Sequence, residues 1–186
     1  MEAQQQIDIT LLAVMSRDFY IADLYENGDF SSPEDKRELR KYLKSDECDC
    51  FICGRKTGDE FADKLSFKPL LILTSQNYQN KGNIRYVKTV EQLFRYLKAY
   101  KLKRPALLGG KKVYELFLKL NAVQKAIITI EKEISFESGI KFNLEYLSKN
   151  FNLTSQKNLS PKTTQYVFEK KHDLSWHRNK YWQQER

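Results

Sequence analysis

The chain has 186 residues, 41% hydrophobic and 30% charged, with 32 Lys and Arg against 24 Asp and Glu for a net charge of +8. That length suits one domain with one core and leaves no room for a second of ordinary size. No apolar run reaches the roughly 18 residues of a membrane span, Met1 to Gln6 lacks the apolar core of a secretory leader, and 7 Gly with 4 Pro exclude a disordered or collagenous composition.

Ile7 to Ser16 is apolar and β-branched, a buried strand. Arg17 to Ser32 carries Phe19, Tyr20, Tyr25 and Phe30 among Asp, Asn and Gly, and reads as a long loop of the kind used for lids and binding. Ser32 caps a helix that opens on Pro33, Glu34 and Asp35 and runs to about Lys44. Cys48 to Gly54 is a second strand, followed by Arg55 to Ala62, where Thr57-Gly58-Asp59-Glu60 can form a capping box. Strands are expected over Pro69 to Thr74 and Asn83 to Val87. Thr89 to Gln92 is a further capping box, before a helix with Val90, Leu93, Phe94 and Leu97 at helical spacing. Ala106 to Leu108 is a short strand, Gly109-Gly110 a sharp turn, and Lys111 to Leu120 a helix. Ala126 to Glu131 is a strand, and Phe151 to Ser155 with Thr164 to Lys170 form a closing antiparallel pair around the turn Asn158 to Pro161.

Alternating strands and helices followed mostly by strand predict an α/β domain with a largely parallel sheet, helices on its faces and an antiparallel C-terminal edge. Residues 1–170 make up the domain, and 171–186 a charged tail with Trp176, Tyr181 and Trp182. Basic residues alternate with acids, as in Lys36, Arg37, Glu38, Arg40 and Lys41. That pattern favours a pocket for phosphate-bearing small molecules over a nucleic-acid surface. Cys48, Cys50 and Cys53 are odd in number and have no histidine at finger-like spacing. They read as reduced thiols of a cytoplasmic protein rather than metal ligands.

Three strand ends run into polar, basic or glycine-rich turns: Gly54-Arg55-Lys56-Thr57, Thr74-Ser75-Gln76-Asn77 and Gly109-Gly110-Lys111-Lys112. Ligands of open α/β sheets bind at such ends, free helix N–H groups attract phosphate, and glycine lets backbone approach it. Two such turns with Ser75 and Lys88 suit a dinucleotide with an extra ribose phosphate, NADPH more than NADH. The spaced glycines of the usual dinucleotide fingerprint are absent. Asp35 has two readings at this level. It completes a cap with Ser32, or it is a carboxylate that grips a ring and directs a proton, with Glu34 its rival. Thr129 either orients Asp35 or is an ordinary strand residue. Met15 and Ser16 end the first strand as pocket lining or as core and turn. No nucleophile elbow surrounds Ser16.

In order and spacing these segments resemble the dihydrofolate reductase superfamily, and within it the branch shared with the reductase domain of bacterial riboflavin biosynthesis. The similarity spans about residues 7–170. It rests on Ile9 to Asp18, Ser31 to Lys36, Cys53-Gly54-Arg55-Lys56-Thr57, Leu108-Gly109-Gly110 with Val113-Tyr114, and Glu137 to Phe142. The resemblance implies a three-layer fold with a twisted, mostly parallel mixed sheet, and NADPH-dependent hydride transfer to a pterin-like or phosphoribosylaminopyrimidine-like heterocycle. It implies Asp35 and Thr129 as the catalytic pair, and Ala13, Met15, Phe30 and Lys36 near the substrate. It implies Gly54, Arg55, Lys56, Thr57, Ser75, Lys88, Gly109, Gly110, Lys111, Lys112 and Val113 around the cofactor. A homodimer is also implied.

The chain departs from the family pattern at Phe19 and Lys111, where glycines are usual. It also lacks the tryptophan before the acid helix, with Phe30 nearby. The arginine that takes folate's glutamyl tail falls near Lys68. These differences count against folate and leave another pterin or a pyrimidine. No deaminase signature accompanies the domain, so a stand-alone reductase is expected, with Arg17, Lys36, Arg37 and Arg40 available for a substrate phosphate. A true dihydrofolate reductase and a non-catalytic nucleotide-binding protein of the same fold are the alternatives.

Overall fold

The structure, a computed structural model, describes residues 6–171. The expected tail with Trp176, Tyr181 and Trp182 lies outside the described residues, apart from Lys171. In chain order, β1 is Ile9–Ser16, β2 Tyr20–Asp23, α1 Pro33–Lys44, β3 Cys50–Gly54 and α2 Arg55–Leu65. There follow β4 Leu70–Leu73, β5 Ile84–Val87, α3 Val90–Ala99, β6 Pro105–Leu107 and α4 Lys111–Lys119. The chain closes with β7 Val123–Glu131, β8 Gly139–Lys141, α5 Leu144–Asn150, β9 Phe151–Asn158 and β10 Thr163–Lys170.

Eight strands form one sheet in the order β5-β4-β3-β6-β1-β7-β10-β9. From β5 to β7 every neighbour is parallel, and β10 and β9 add the antiparallel edge. Because side chains alternate across a strand, β1 feeds two cores. Ile9, Leu11 and Met15 pack with Leu93 and Leu97 of α3 and with Val113 and Phe117 of α4. Leu12, on the other face, packs with Leu39 and Leu43 of α1 and Leu65 of α2. The result is the three-layer α/β architecture that the alternating elements predict.

Local rules account for several helix ends. Ser32 caps α1 by accepting from Asp35 N–H at 3.2 Å, with Pro33 in the first turn. Thr89 caps α3 in the same way through Gln92 N–H at 3.2 Å. At the other end of α1, the Lys68 ammonium donates to the carbonyls of Leu43, Ser45 and Cys48 at 2.7, 2.8 and 2.5 Å. Those three acceptors take all three of its protons and satisfy carbonyls that a helix end leaves open. Lys68→Met is therefore expected to cost about 2 kcal/mol of stability, read as a lower urea midpoint with an unchanged slope.

Three expectations are corrected. The stretch from Arg17 to Ser32 is not all loop, because β2 pairs antiparallel with β8 as a separate two-stranded ribbon. Both strands are too short to show an alternating pattern. Gly139 makes their approach feasible: its φ is +156°, and a Cβ there would lie 2.3 Å from the Ala22 carbonyl oxygen. The capping box at Thr57 does not form, since α2 starts earlier, at Arg55, behind Gly54. A short α5, capped by Asn143, precedes β9 where no helix was expected.

Cys48, Cys50 and Cys53 are free and fully buried. Burial pushes the thiols up, Cys48 to about 11 and Cys53 to about 12, with Cys50 shifted the same way. They behave as small apolar core residues.

Candidate active site

The glycine turns singled out from sequence lie at the C-terminal edge of the parallel strands. Gly54 ends β3, Gly109-Gly110 follows β6, and β3 and β6 are neighbours in the sheet. The Gly54 N–H donates to the Gly109 carbonyl at 2.7 Å. A Cβ on Gly54 would stand 3.1 Å from Val113 Cγ2 and 3.8 Å from Gly110 N. A Cβ on Gly110 would meet only Thr57 Oγ1, at 3.9 Å. The two turns therefore lie against one another. The peptide between Gly109 and Gly110 is cis.

Ser32, Thr89 and Asn143 cap α1, α3 and α5 with their side chains. By contrast, α2 and α4 begin behind Gly54 and Gly110, and neither has a side-chain cap. Their first N–H groups are left for another acceptor, and an anion is the acceptor that a helix N-terminus favours. Gly110 keeps the adjoining space free of a side chain, so these residues fit a phosphorylated cofactor.

Three of the basic residues at these turns are engaged within the protein. Arg55 pairs with Asp59 at 2.6 Å, Lys111 approaches Glu115 at 3.8 Å, and Lys56 pairs with Glu26 of the β2–α1 loop. All are solvent-facing pairs that a phosphate can compete with. Lys112 is exposed on the first turn of α4, whereas Val113 is buried against Gly54. Ser75 and Lys88 follow the adjacent strands β4 and β5, which Thr74 N–H joins by donating to the Val87 carbonyl at 3.0 Å.

Two strands from β6, across β1, lies β7, roughly 10 Å away at normal strand spacing. Here Asp35, on the first turn of α1, is 6% exposed. The Ser31 hydroxyl donates to its Oδ2 at 2.5 Å, and the Thr129 side chain also hydrogen-bonds it. Burial raises the Asp35 carboxyl above its ordinary value, the two hydroxyls oppose the shift, and nearby Glu131 adds to it. Asp35 therefore joins the Ser32 cap through its backbone N–H alone, since the Ser32 N–H donates to Glu131, and its side chain is left to Ser31 and Thr129.

Ala13 is half-buried on β1 beside Ile128, and Met15 is fully buried in the core, with no surface offered to a ligand. Phe30 packs edge-on against Phe136 at 5.2 Å, and Lys36 pairs with Asp29 at 2.7 Å. The loop after β1 is strapped down. Asp18 accepts from the hydroxyls of Ser16 and Ser135, at 2.5 and 3.1 Å, and from Phe136 N–H at 3.1 Å. Phe19, where the family pattern carries glycine, has φ +70°, a conformation a non-glycine residue seldom adopts.

Sequence reasoning missed Glu131, Ser31 and Thr163. Glu131 is 4% exposed, accepting from Ser32 N–H at 2.8 Å and from the Thr163 hydroxyl at 2.6 Å. An acid two residues beyond Thr129 on a strand lies on the same face, which was the available signal. An open cleft of about 430 Å³, lined by Asp8, Tyr42, Glu47 and Arg104, lies at the opposite, N-terminal edge of the strands. It has no part in this constellation.

The three-layer α/β fold, with its mostly parallel sheet and antiparallel C-terminal edge, carries a buried acid on the first helix and two glycine turns side by side. A family model described as dihydrofolate reductase matches residues 30–173, and the chain belongs to that family. Among solved structures it is similar to a candidate riboflavin biosynthesis protein from Shewanella sp. PV-4. The TM-score is 0.68 and the identity 20%, covering 89% of this chain and 100% of that one. It is also similar to a diaminohydroxyphosphoribosylaminopyrimidine deaminase/5-amino-6-(5-phosphoribosylamino)uracil reductase from Thermotoga maritima. There the TM-score is 0.71 and the identity 13%, covering 89% of this chain and 57% of that one. No curated protein matches. Family membership supports an oxidoreductase acting on a heterocyclic substrate. No helix among the described residues is long and apolar enough to cross a membrane.

Proposed function

We propose that this protein is an NADPH-dependent reductase that transfers a hydride to a heterocyclic substrate of the phosphoribosylaminopyrimidine or pterin type. The observation that carries this is the pair of helices, α2 and α4, whose uncapped N-termini meet at Gly54 and Gly109-Gly110. Arg55, Lys56, Thr57, Lys111 and Lys112 would receive the pyrophosphate side, and Ser75 and Lys88 the ribose phosphate. When bound, the nicotinamide supplies the hydride.

The protein's own residues would do the rest. Asp35, held by Ser31 and Thr129, would hydrogen-bond the substrate ring and favour its protonated form. The strapped loop with Phe30 would exclude water. The substrate reading leans away from folate on one observation. Lys68, near which the glutamyl-tail arginine falls, spends its three protons on backbone carbonyls and has none left for a carboxylate.

Fluorescence titration with NADPH and NADH tests the cofactor assignment. Lys88→Ala should weaken NADPH by about tenfold and NADH by less, whereas Arg55→Ala should weaken both alike; equal losses in Lys88→Ala would contradict the ribose-phosphate role. Gly110→Ala should fold normally, since its Cβ meets only Thr57 at 3.9 Å, yet bind NADPH more weakly. Turnover of the riboflavin-pathway aminopyrimidine against dihydrofolate then decides the substrate. Tight NADPH binding with turnover of neither substrate would favour the non-catalytic alternative.

A further inference from the structure

β7 places two side chains on its α1-facing side in succession, Thr129 and Glu131. Thr129 meets the Asp35 side chain. Glu131 instead reaches the two-residue junction through which the loop enters α1. Its Oε1 accepts from Ser32 N–H at 2.8 Å, and its Oε2 accepts from the Thr163 hydroxyl of β10 at 2.6 Å. Thr163 Oγ1 also lies 3.2 Å from Ser32 Oγ. The next residue back, Ser31, is the one that donates to Asp35. Ser32 is thus gripped from β7 by its backbone and in contact with β10 by its hydroxyl, and Ser31 can point only where that grip allows. Glu131, Thr163 and Asp35 are all at least nine-tenths buried, so water does not compensate for a lost partner.

We propose that Glu131 is a positioning residue for Asp35, anchoring the Ser31–Ser32 junction to β7 and β10 so that the Ser31 hydroxyl meets the Asp35 carboxylate. This deepens the reductase reading and rests on it for its catalytic meaning. Glu131 is also the charged neighbour that faces Asp35 from the sheet, with Lys36 on α1 acting in the opposite sense. Through the sheet the protein supplies a negative charge that favours the protonated form of Asp35, the form that can donate to a ring nitrogen.

The test is NMR on the full chain, free of ligands. Asp35 is followed by its side-chain carboxyl 13C signal, assigned by its loss in Asp35→Asn, and Ser32 by its amide exchange. Glu131→Gln keeps an acceptor oxygen but removes the charge. It should leave Ser32 exchange slow and move the Asp35 titration midpoint downward. Glu131→Val removes both, and should speed Ser32 exchange by about tenfold; because the freed Ser31 hydroxyl no longer holds the Asp35 value down, its midpoint should lie above that of Glu131→Gln. Wild-type Ser32 exchange in a folded Glu131→Val protein would overturn the proposal. Should Glu131→Val not fold, Glu131→Asp takes its place, since it keeps the charge but is one carbon too short to reach both Ser32 N–H and Thr163; wild-type Ser32 exchange in it would overturn the proposal. These readings need neither substrate nor cofactor. If Asp35→Asn leaves turnover intact, the catalytic reading fails while the anchoring result stands separately.

Discussion

Asp35→Asn is expected to slow turnover by about a hundredfold or more, with NADPH affinity close to that of the parent protein. The split follows from the layout. Asp35, on α1, is tied to β7 through Thr129 and to the preceding loop through Ser31, whereas the glycine turns proposed for the cofactor follow β3 and β6. A measured kcat with dihydrofolate or the aminopyrimidine, beside a cofactor titration, checks both halves. Equal turnover by the two proteins would remove Asp35 from the chemistry.

The same substitution should stabilise the fold at neutral pH. Burial raises the Asp35 carboxyl in the folded protein above its unfolded value. For an acid shifted that way, the folded state holds the proton more tightly. The resulting stability is present in full below the ordinary carboxylate value and is lost as pH rises through the folded-state value. Asn carries no such proton. Asp35→Asn should therefore exceed the parent in urea resistance near pH 7, and the gap should close as pH falls into the ordinary carboxylate range. A slower but more stable variant is the usual signature of a buried functional acid.

Gly109→Ala is expected to cost about 3 kcal/mol of stability and to abolish tight cofactor binding. Gly109 has φ +101°, where a side chain is strained whatever the space. A Cβ would also stand 2.9 Å from the Tyr114 hydroxyl and ring. Tyr114 has little room to yield: it is buried, donates to the Leu12 carbonyl at 2.6 Å and packs edge-on against Phe142 at 5.8 Å. Gly82→Ala is the control. It shares a positive φ, +54°, but has nothing within 4 Å, so it should lose only the strain, about 1 kcal/mol. Equal urea midpoints for the two variants would show that the Tyr114 contact carries no weight.

The layering of this protein was readable from residue order, because its cues are short-range. Apolar spacing marks α3 and α4, Ser32 with Pro33 marks the start of α1, and glycine at the ends of β3 and β6 marks turns where backbone must come close. Asp35 and Thr129 were visible as candidates through their motif neighbours. Other features arise between distant segments. Glu131 reaches Ser32 across 99 positions, and Lys68 reaches Leu43 across 25. The ribbon of β2 and β8 joins four residues to three with no periodicity in either. Hydrophobic pattern and capping depend on neighbours a turn away, so a linear reading recovers them. Which buried donor meets which acceptor depends on how strands are ordered in the sheet, and that ordering exists only once the chain has folded.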